Sequence, residues 1–314
     1  MTTVSVIVPF LNEEENLHRF CVYIDEQAGK ADYQTEVIFV DDGSEDNSID
    51  LIKAYEFKHC GTVKLLKLSK NFGSHAAIRA GISKAAGDYC TYIEADLETP
   101  EDILDVMYEN IREGYDAVYI EKTAVKKNAF SRLASGIFSS LMRKHAVPNY
   151  RQGGINNIMI NRKIIDYLND NVEQNSVLQL QIINSGFKSV VVGMDYRPRT
   201  EGKSKWSLSK KMKLFIDSFV SFSYFPIRLV SIVGAILALA GIVYGIYIVI
   251  IRILGVYLIE GYATTVAVLL FGFGITNISL GIIAEYLWRT HDAAQRRPVF
   301  IISDETEIKG SHDG

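Results

Sequence analysis

Tyr89-Cys90-Thr91-Tyr92-Ile93 is an apolar run that leads straight into Glu94-Ala95-Asp96-Leu97-Glu98 and then Thr99-Pro100-Glu101-Asp102. The run predicts a strand over residues 89–93. Three carboxylates at alternate positions directly after it can converge on one hard cation at the carboxyl end of a sheet, where α/β proteins place their ligands. That pattern suits a metal-diphosphate site. Thr-Pro-Glu-Asp is also a good helix start, so the competing reading is a solvated acidic turn that caps a helix beginning near Pro100. The residues on either side decide between the two.

Upstream, residues 4–8 predict a strand closed by Pro9, and Asn12-Glu13-Glu14-Glu15-Asn16 opens a helix to about residue 28 with acidic residues in its first turn. Residues 36–40 predict a second strand, ending in Asp41-Asp42-Gly43-Ser44 and followed by a helix over 47–57. Residues 63–68 predict a third, followed by a turn at Asn71-Phe72-Gly73 and a helix over 74–86. Strands separated by helices of this length indicate βαβ units in a mostly parallel, doubly wound sheet. Its carboxyl ends then carry Asn12 and Glu13, Asp41 and Asp42, Asn71, and the Glu94 to Glu98 cluster. Polar and acidic groups at four successive strand ends share one crevice, which suits a cation together with a polyol or a nucleotide. Neither a Walker A sequence nor Gly-x-Gly-x-x-Gly follows the first strand, so a bound diphosphate needs a cation and basic side chains from elsewhere.

Downstream, strands are predicted over 117–121, 158–160 and 190–192, with residues 151–157 as a loop and a helix over 162–168. Tyr196-Arg197-Pro198-Arg199-Thr200-Glu201-Gly202-Lys203-Ser204-Lys205 is basic and rich in breakers; it reads either as a solvated linker or as a loop that closes over an anionic donor. Leu208, Met212, Phe215, Ile216 and Phe219 share one helical face, as in an amphipathic helix lying in a membrane interface, and Pro226 breaks that helix from the next apolar run. Residues 229–251 and 263–283 contain no charge, and each run is long enough to cross a bilayer core of about 30 Å. Two transmembrane helices are therefore expected, with Asn277 either bonding between helices, the ordinary reading, or reaching a lipid headgroup. Residues 298–302 are expected to form an edge strand on the catalytic sheet or on a neighbouring subunit.

The 33 Lys and Arg against 37 Asp and Glu argue against a nucleic-acid binder. Their placement says more. Lys203, Lys205, Lys210, Lys211, Lys213 and Arg228 precede the first run, Arg289, Arg296 and Arg297 come after the second, and Arg252 and Glu260 lie between. The positive-inside rule then puts the large domain and both termini in the cytoplasm. Met1 leads directly into the first strand, which on this reading leaves no room for a signal peptide, and Cys21, Cys60 and Cys90 are scattered as in a reducing compartment. The expected organisation is a catalytic domain over 1–200, a basic linker and interfacial helix over 201–226, paired membrane helices over 227–289 and a cytoplasmic tail over 290–314.

Val6-Ile7-Val8-Pro9-Phe10-Leu11-Asn12-Glu13-Glu14, Val40-Asp41-Asp42-Gly43-Ser44, Asn71-Phe72-Gly73-Ser74-His75, Glu94-Ala95-Asp96-Leu97-Glu98-Thr99-Pro100-Glu101 and Gly202-Lys203-Ser204-Lys205-Trp206 occur in that order before the paired apolar runs. Together they resemble the polyprenyl-phosphate glycosyltransferases of glycosyltransferase family two, relatives of dolichol-phosphate mannose synthase and the bactoprenol glucosyltransferases. The resemblance implies a GT-A fold, a nucleotide-sugar donor, Mg²⁺ or Mn²⁺, and inverting transfer to a lipid phosphate. It assigns Pro9, Leu11 and Glu13 to the nucleoside, Asp41 and Asp42 to base and ribose, and Asn71 to the donor crevice. It assigns Asp96 and Glu98, with Glu94, to the metal, and Arg199, Lys203 and Lys205 to donor diphosphate or acceptor phosphate.

The chain departs from that family at three places: Leu11 stands where Tyr is usual, Glu94 and Glu98 alter an Asp-x-Asp-x-Gln motif, and Asn156 falls where many members carry Asp. Asn cannot act as a general base. A polyprenyl phosphate has a second pKa of about 6 and is already a nucleophile at neutral pH, so Asn156 is left the task of orienting it. The expected activity is transfer of one sugar, from a UDP-sugar by preference, to undecaprenyl phosphate at the cytoplasmic face of a bacterial inner (plasma) membrane, for cell-envelope glycan or lipopolysaccharide modification, by a protein able to form a homo-oligomer such as a tetramer. The alternatives are a catalytically silent membrane protein that binds nucleotide sugar or recruits partners, and a processive polysaccharide synthase. Two spans and the lack of a Gln-x-x-Arg-Trp motif weigh against the last.

Overall fold

The computed structural model describes residues 1–123, 136, 139–140, 142–144, 155–173, 177–196, 225–254, 261–295 and 297–308. The first half alternates as its periodicity predicts. Strands β1 (Thr3–Phe10), β2 (Gln34–Asp41), β3 (Thr62–Leu68) and β4 (Tyr89–Tyr92) are separated by helices α1 (Glu14–Lys30), α2 (Ser48–Ala54) and α3 (Ser74–Lys84). Then come α4 (Ile103–Arg112), β5 (Ala117–Lys122), β6 (Ile155–Asn161), α5 (Arg162–Asp170), α6 (Leu178–Asn184) and β7 (Ser189–Met194). Two long helices come next, α7 (Phe225–Ile253) and α8 (Tyr262–Gln295), and β8 (Ile302–Ile308) ends the described chain.

The eight strands among the described residues join one sheet in the order β7-β5-β6-β4-β1-β2-β3-β8. Strand alternation divides the core between its two faces. Val6, Val8 and Phe10 pack with α1, α2 and α4, whereas Ile7 packs on the opposite face with α3, α5 and α6. On that second face α3 lies so close to β1 that a Cβ on Gly81 would stand 2.4 Å from Ile7 Cγ2, so the glycine lets the helix pack directly on the strand. The buried Asp25 of α1 accepts the N–H groups of His59 (2.8 Å), Lys58 (3.0 Å) and Cys60 (3.2 Å), tying the turn before β3 to the helix.

Several expectations need correction. Six of the eight described strands run in one direction, as expected of a mostly parallel sheet, but β6 runs antiparallel between β4 and β5, and β8 runs antiparallel beside β3, so the sheet is mixed. Side-chain alternation is the same in either direction, so sequence periodicity does not report it. Residues 155–157, expected in a loop, begin β6. The second helix stops at Ala54 rather than 57, since Phe57 leaves it to pack on Phe39 at 5.9 Å between ring centroids. The last strand lies over Ile302–Ile308, not 298–302. Glu307 stands opposite Lys64 and Asp304 opposite Lys67, so β8 and β3 are complementary in charge.

Among the described residues, one compact unit holds the sheet with its helices, β8 included, and a second holds α7 and α8. In the second unit Ile236, Leu239, Phe271 and Phe273 are exposed. Among the described residues one segment, Ile227–Tyr244 in α7, is long and apolar enough to cross a membrane. Pro226 is the second residue of α7, where a proline's missing N–H costs nothing. Helix α8 continues past its uncharged part into Glu285 and Arg289, which pair at 2.8 Å. Of the expected basic linker and interfacial helix over 201–226, residues 201–224 lie outside the described residues and Phe225 and Pro226 open α7; Arg199, Lys203 and Lys205 also lie outside the described residues.

Candidate active site

The strand order β4-β1-β2-β3 sets the polar carboxyl ends side by side. The end of β2 and the end of β4 flank that of β1, two strand spacings or about 10 Å apart. Pro9 is buried near the end of β1, Leu11 is half-buried beyond it, and Asn12 adopts φ +51°, a left-handed turn that Asn tolerates. That turn interlocks with the next loop: the Asn12 N–H donates to Ser44 Oγ at 3.0 Å and the Glu45 N–H donates to Asn12 Oδ1 at 2.9 Å. The Glu13 N–H donates to Ser48 Oγ at 3.0 Å, and its carboxylate accepts Asn16 Nδ2 at 2.8 Å.

Asp41 and Asp42 are both buried. Asp42 accepts the Phe72 N–H at 2.7 Å and the Gly73 N–H at 2.9 Å, so it joins the end of β2 to the start of α3. Burial raises its pKa, the two N–H groups oppose that, and the neighbouring Asp41 charge adds to it. Gly43, at φ +86°, lets the two loops meet, since a Cβ there would lie 3.0 Å from the backbone of Lys70 and Asn71. Asp41 Oδ1 accepts the Ser44 N–H at 2.8 Å, whereas its Oδ2 is buried with no hydrogen-bond partner among the described residues. A buried carboxylate oxygen in that state is costly unless a ligand supplies the donor. Asn71, on the exposed turn, does not share this burial.

Beyond β4, Leu97 adopts φ +56° and the Glu98 N–H folds back to Asp96 Oδ1 at 3.1 Å. Asp96 and Glu98 line one groove with His18 and Arg19 of α1, while Glu94 is exposed and outside it. Among the described residues no three Asp, Glu, His or Cys side chains gather as a metal cage, so the expected convergence of Glu94, Asp96 and Glu98 is not present. Two carboxylates still fit a hard cation, because Mg²⁺ is commonly held by one or two carboxylates with substrate phosphates and water completing the shell.

A second polar cluster stands at the same end of the sheet. Antiparallel pairing brings the start of β6 beside the end of β4, which places Asn156 and Asn157 at the crevice. Asn157 Nδ2 donates to the Tyr92 carbonyl at 2.7 Å and accepts the Tyr196 hydroxyl on Oδ1 at 2.5 Å. The Tyr92 hydroxyl donates to the Asn156 carbonyl and accepts Gln179 Nε2 at 2.6 Å. Burial, and then the Glu94 charge, pushes both tyrosine hydroxyls up, so they remain protonated donors. Sequence reasoning singled out neither Tyr92 nor Gln179. Two glutamines, Gln179 and Gln181, set among Leu178, Leu180, Ile182 and Ile183 are the signal that could have found the second.

Residues 5–177 match Glycosyl transferase family 2, and residues 225–289 match the GtrB C-terminal hairpin. An uncharacterised glycosyltransferase of Synechocystis is 29% identical over 307 residues, covering 96% of this chain and 94% of its own. The uncharacterised glycosyltransferase YkcC of Bacillus subtilis is 29% identical over 306 residues, covering 97% and 94%. The undecaprenyl-phosphate 4-deoxy-4-formamido-L-arabinose transferase of Proteus mirabilis is 26% identical over 308 residues, covering 98% and 94%. The family 2 match spans more than half of the 314 residues and falls on the sheet whose strand ends form this site, and the protein accordingly belongs to glycosyl transferase family 2 and is a glycosyltransferase.

Proposed function

We propose that the protein moves one sugar, with inversion, from a nucleotide-sugar donor, a UDP-sugar by preference, onto undecaprenyl or another polyprenyl phosphate at the cytoplasmic face of a bacterial inner membrane. The observation that carries this reading is the order of strand ends: the Asp96 loop and the buried Asp41–Asp42 pair flank the end of β1, so diphosphate and nucleoside can lie across three adjacent strands. Asp41 Oδ2, buried and unpartnered among the described residues, suits an N–H of the base, and the loops at Leu11 and Glu13 border the nucleoside. Asp96 and Glu98 would hold Mg²⁺ or Mn²⁺, which would supply positive charge to offset that of the departing diphosphate. Arg199, Lys203 and Lys205 grip the phosphates, and Asn156 orients the acceptor, whose own dianion attacks the anomeric carbon.

The membrane setting is supported by connectivity. The chain leaves the sheet, forms α7 and α8, and returns as β8 to pair with β3, so both ends of the helical pair are tied to one sheet. A membrane pair so tied crosses an even number of times, which supports two spans with both ends on one face, and the Lys and Arg flanking the two apolar runs favour the cytoplasmic face. Named relatives that act on undecaprenyl phosphate align along nearly their whole length, the hairpin included.

The test uses the full-length protein in detergent with undecaprenyl phosphate, Mg²⁺ or Mn²⁺, and a panel of UDP-, GDP- and dTDP-sugars, with mass spectrometry of the extracted lipid as the readout. A glycosylated lipid from one donor, lost in Asp96→Ala, is the expected result. Nucleotide binding with no lipid product from any donor would favour a silent binder instead.

A further inference from the structure

We propose that His75 Nδ1 and Gln179 Oε1 form a seat that reads hydroxyl groups on the transferred sugar; this rests on the nucleotide-sugar reading above. Both atoms are buried and have no hydrogen-bond partner among the described residues. Leaving such an atom unpaired is costly, so a pair of them at the ligand end of a sheet marks groups that wait for a partner. Gln179 is anchored to Tyr92, the last residue of β4, and His75 is the second residue of α3, just past the Gly73 that Asp42 holds.

The orientation of the Gln179 amide is set by its neighbours. The Asn156 carbonyl can only accept, so the Tyr92 hydroxyl must spend its proton there and accept in return from Gln179 Nε2. The other end of the amide, Oε1, is therefore an acceptor that needs a donor. His75 is held toward its neutral form by burial and by the charge of Arg79 one turn along the same helix, and Arg79 itself is engaged by Gln181 Oε1 at 2.6 Å. A hydroxyl satisfies either tautomer of a neutral imidazole, because it both donates and accepts. Phosphate oxygens would confront an acceptor-only amide oxygen. The chemistry thus selects a neutral polyol, the sugar, and not the diphosphate. A site built to bond a hydroxyl rejects an analogue without it far better than an apolar pocket rejects an extra group.

The experiment repeats the lipid assay on full-length protein with the accepted donor and its deoxy and epimeric analogues, for wild type, Gln179→Met and His75→Phe, and measures binding of the corresponding nucleoside diphosphate alone. Each variant is expected to lose about tenfold to hundredfold in kcat/KM for the accepted donor, to lose discrimination against the matching deoxy sugar, and to bind the nucleoside diphosphate within about threefold of wild type. Tyr92→Phe frees the Gln179 amide to turn over, so it is expected to relax discrimination by a smaller factor. Unchanged discrimination in Gln179→Met and His75→Phe, with wild type active, would overturn the sugar seat alone and leave buried water as the partner of these atoms. An equal loss of nucleoside diphosphate binding would assign the residues to the scaffold and also overturn it. A wild type that glycosylates no lipid from any donor would remove the functional reading and this inference with it.

Discussion

The N–H of Gly73, at the start of α3, donates to the carboxylate of Asp42, at the end of β2, over 2.9 Å, and Phe72 donates to the same carboxylate over 2.7 Å. The loop after β3 is thereby fixed to the strand next to it before any ligand arrives. Asp42→Ala leaves two backbone donors unpaired in a half-buried turn. It is expected to lower stability by about 2 kcal/mol and to weaken donor binding, read by chemical denaturation and by nucleotide titration.

Asp41 behaves in the opposite sense. Its Oδ2 lacks a partner among the described residues, so the charge costs stability that a bound base would return. Asp41→Asn is expected to melt no lower than wild type without ligand, while its affinity for nucleoside diphosphate falls about tenfold or more. A variant that melts markedly lower and binds nucleotide normally would contradict this role.

Asp96 and Glu98 separate metal binding from charge. Asp96→Ala is expected to abolish lipid glycosylation at any Mg²⁺ or Mn²⁺ concentration. Glu98→Gln removes one negative charge beside the cation and is expected to raise the divalent concentration needed for half-maximal rate while retaining turnover, checked by metal titration of initial rates.

Asp25 supplies a pH test. Burial works against its charge, but the N–H groups of His59, Lys58 and Cys60 outweigh that and hold its pKa below the ordinary 3.8. A lowered carboxyl pKa stabilises the fold fully above 3.8 and loses that contribution as pH falls through the lower folded value. Asp25→Asn should therefore be less stable than wild type near neutrality, with the gap narrowing in acid below that point. Denaturation curves collected from about pH 7 to about pH 2.5 measure the gap.

At the sheet edge, Lys84 Nζ meets Glu305 at 2.6 Å, with both side chains over a third exposed. Lys84→Ala is expected to change stability by less than about 1 kcal/mol. Truncation after Arg297 removes β8 and uncovers the whole β3 edge, and is expected to cause self-association visible by sedimentation.

Much of the fold was legible in the sequence for a physical reason. Apolar runs broken by Pro9, Gly43 and Gly73 show where strands and turns fall, and the carboxylates at Asp41, Asp42 and Asp96 stand at or just past strand ends, as that alternation predicts. Strand direction was not legible, since β6 alternates in the same way whichever way it runs. The closing edge strand was legible as a strand near the end of the chain but not in its bounds, because the acidic residues of β8 gain their meaning only opposite Lys64 and Lys67. Tyr92 and Gln179 were missed because their roles arise from a bond between residues 87 positions apart. The convergence expected of Glu94 with Asp96 and Glu98 is not present among the described residues: Asp96 and Glu98 line the α1 groove, while Glu94 is exposed outside it.

The return of the chain as β8 also has a consequence for biosynthesis. The hydrogen bond from Ser303 to the Lys67 carbonyl links residues 236 apart. At about 5 to 20 residues per second, roughly ten to fifty seconds of translation separate the two partners. Throughout that interval β3 presents an open edge in the nascent chain, and the apolar helical pair has already been synthesised when the closing strand first becomes available. The nascent enzyme therefore completes its catalytic sheet last, and a ribosome stalled between β7 and β8 holds a protein with a full set of strand-end carboxylates but an unfinished sheet.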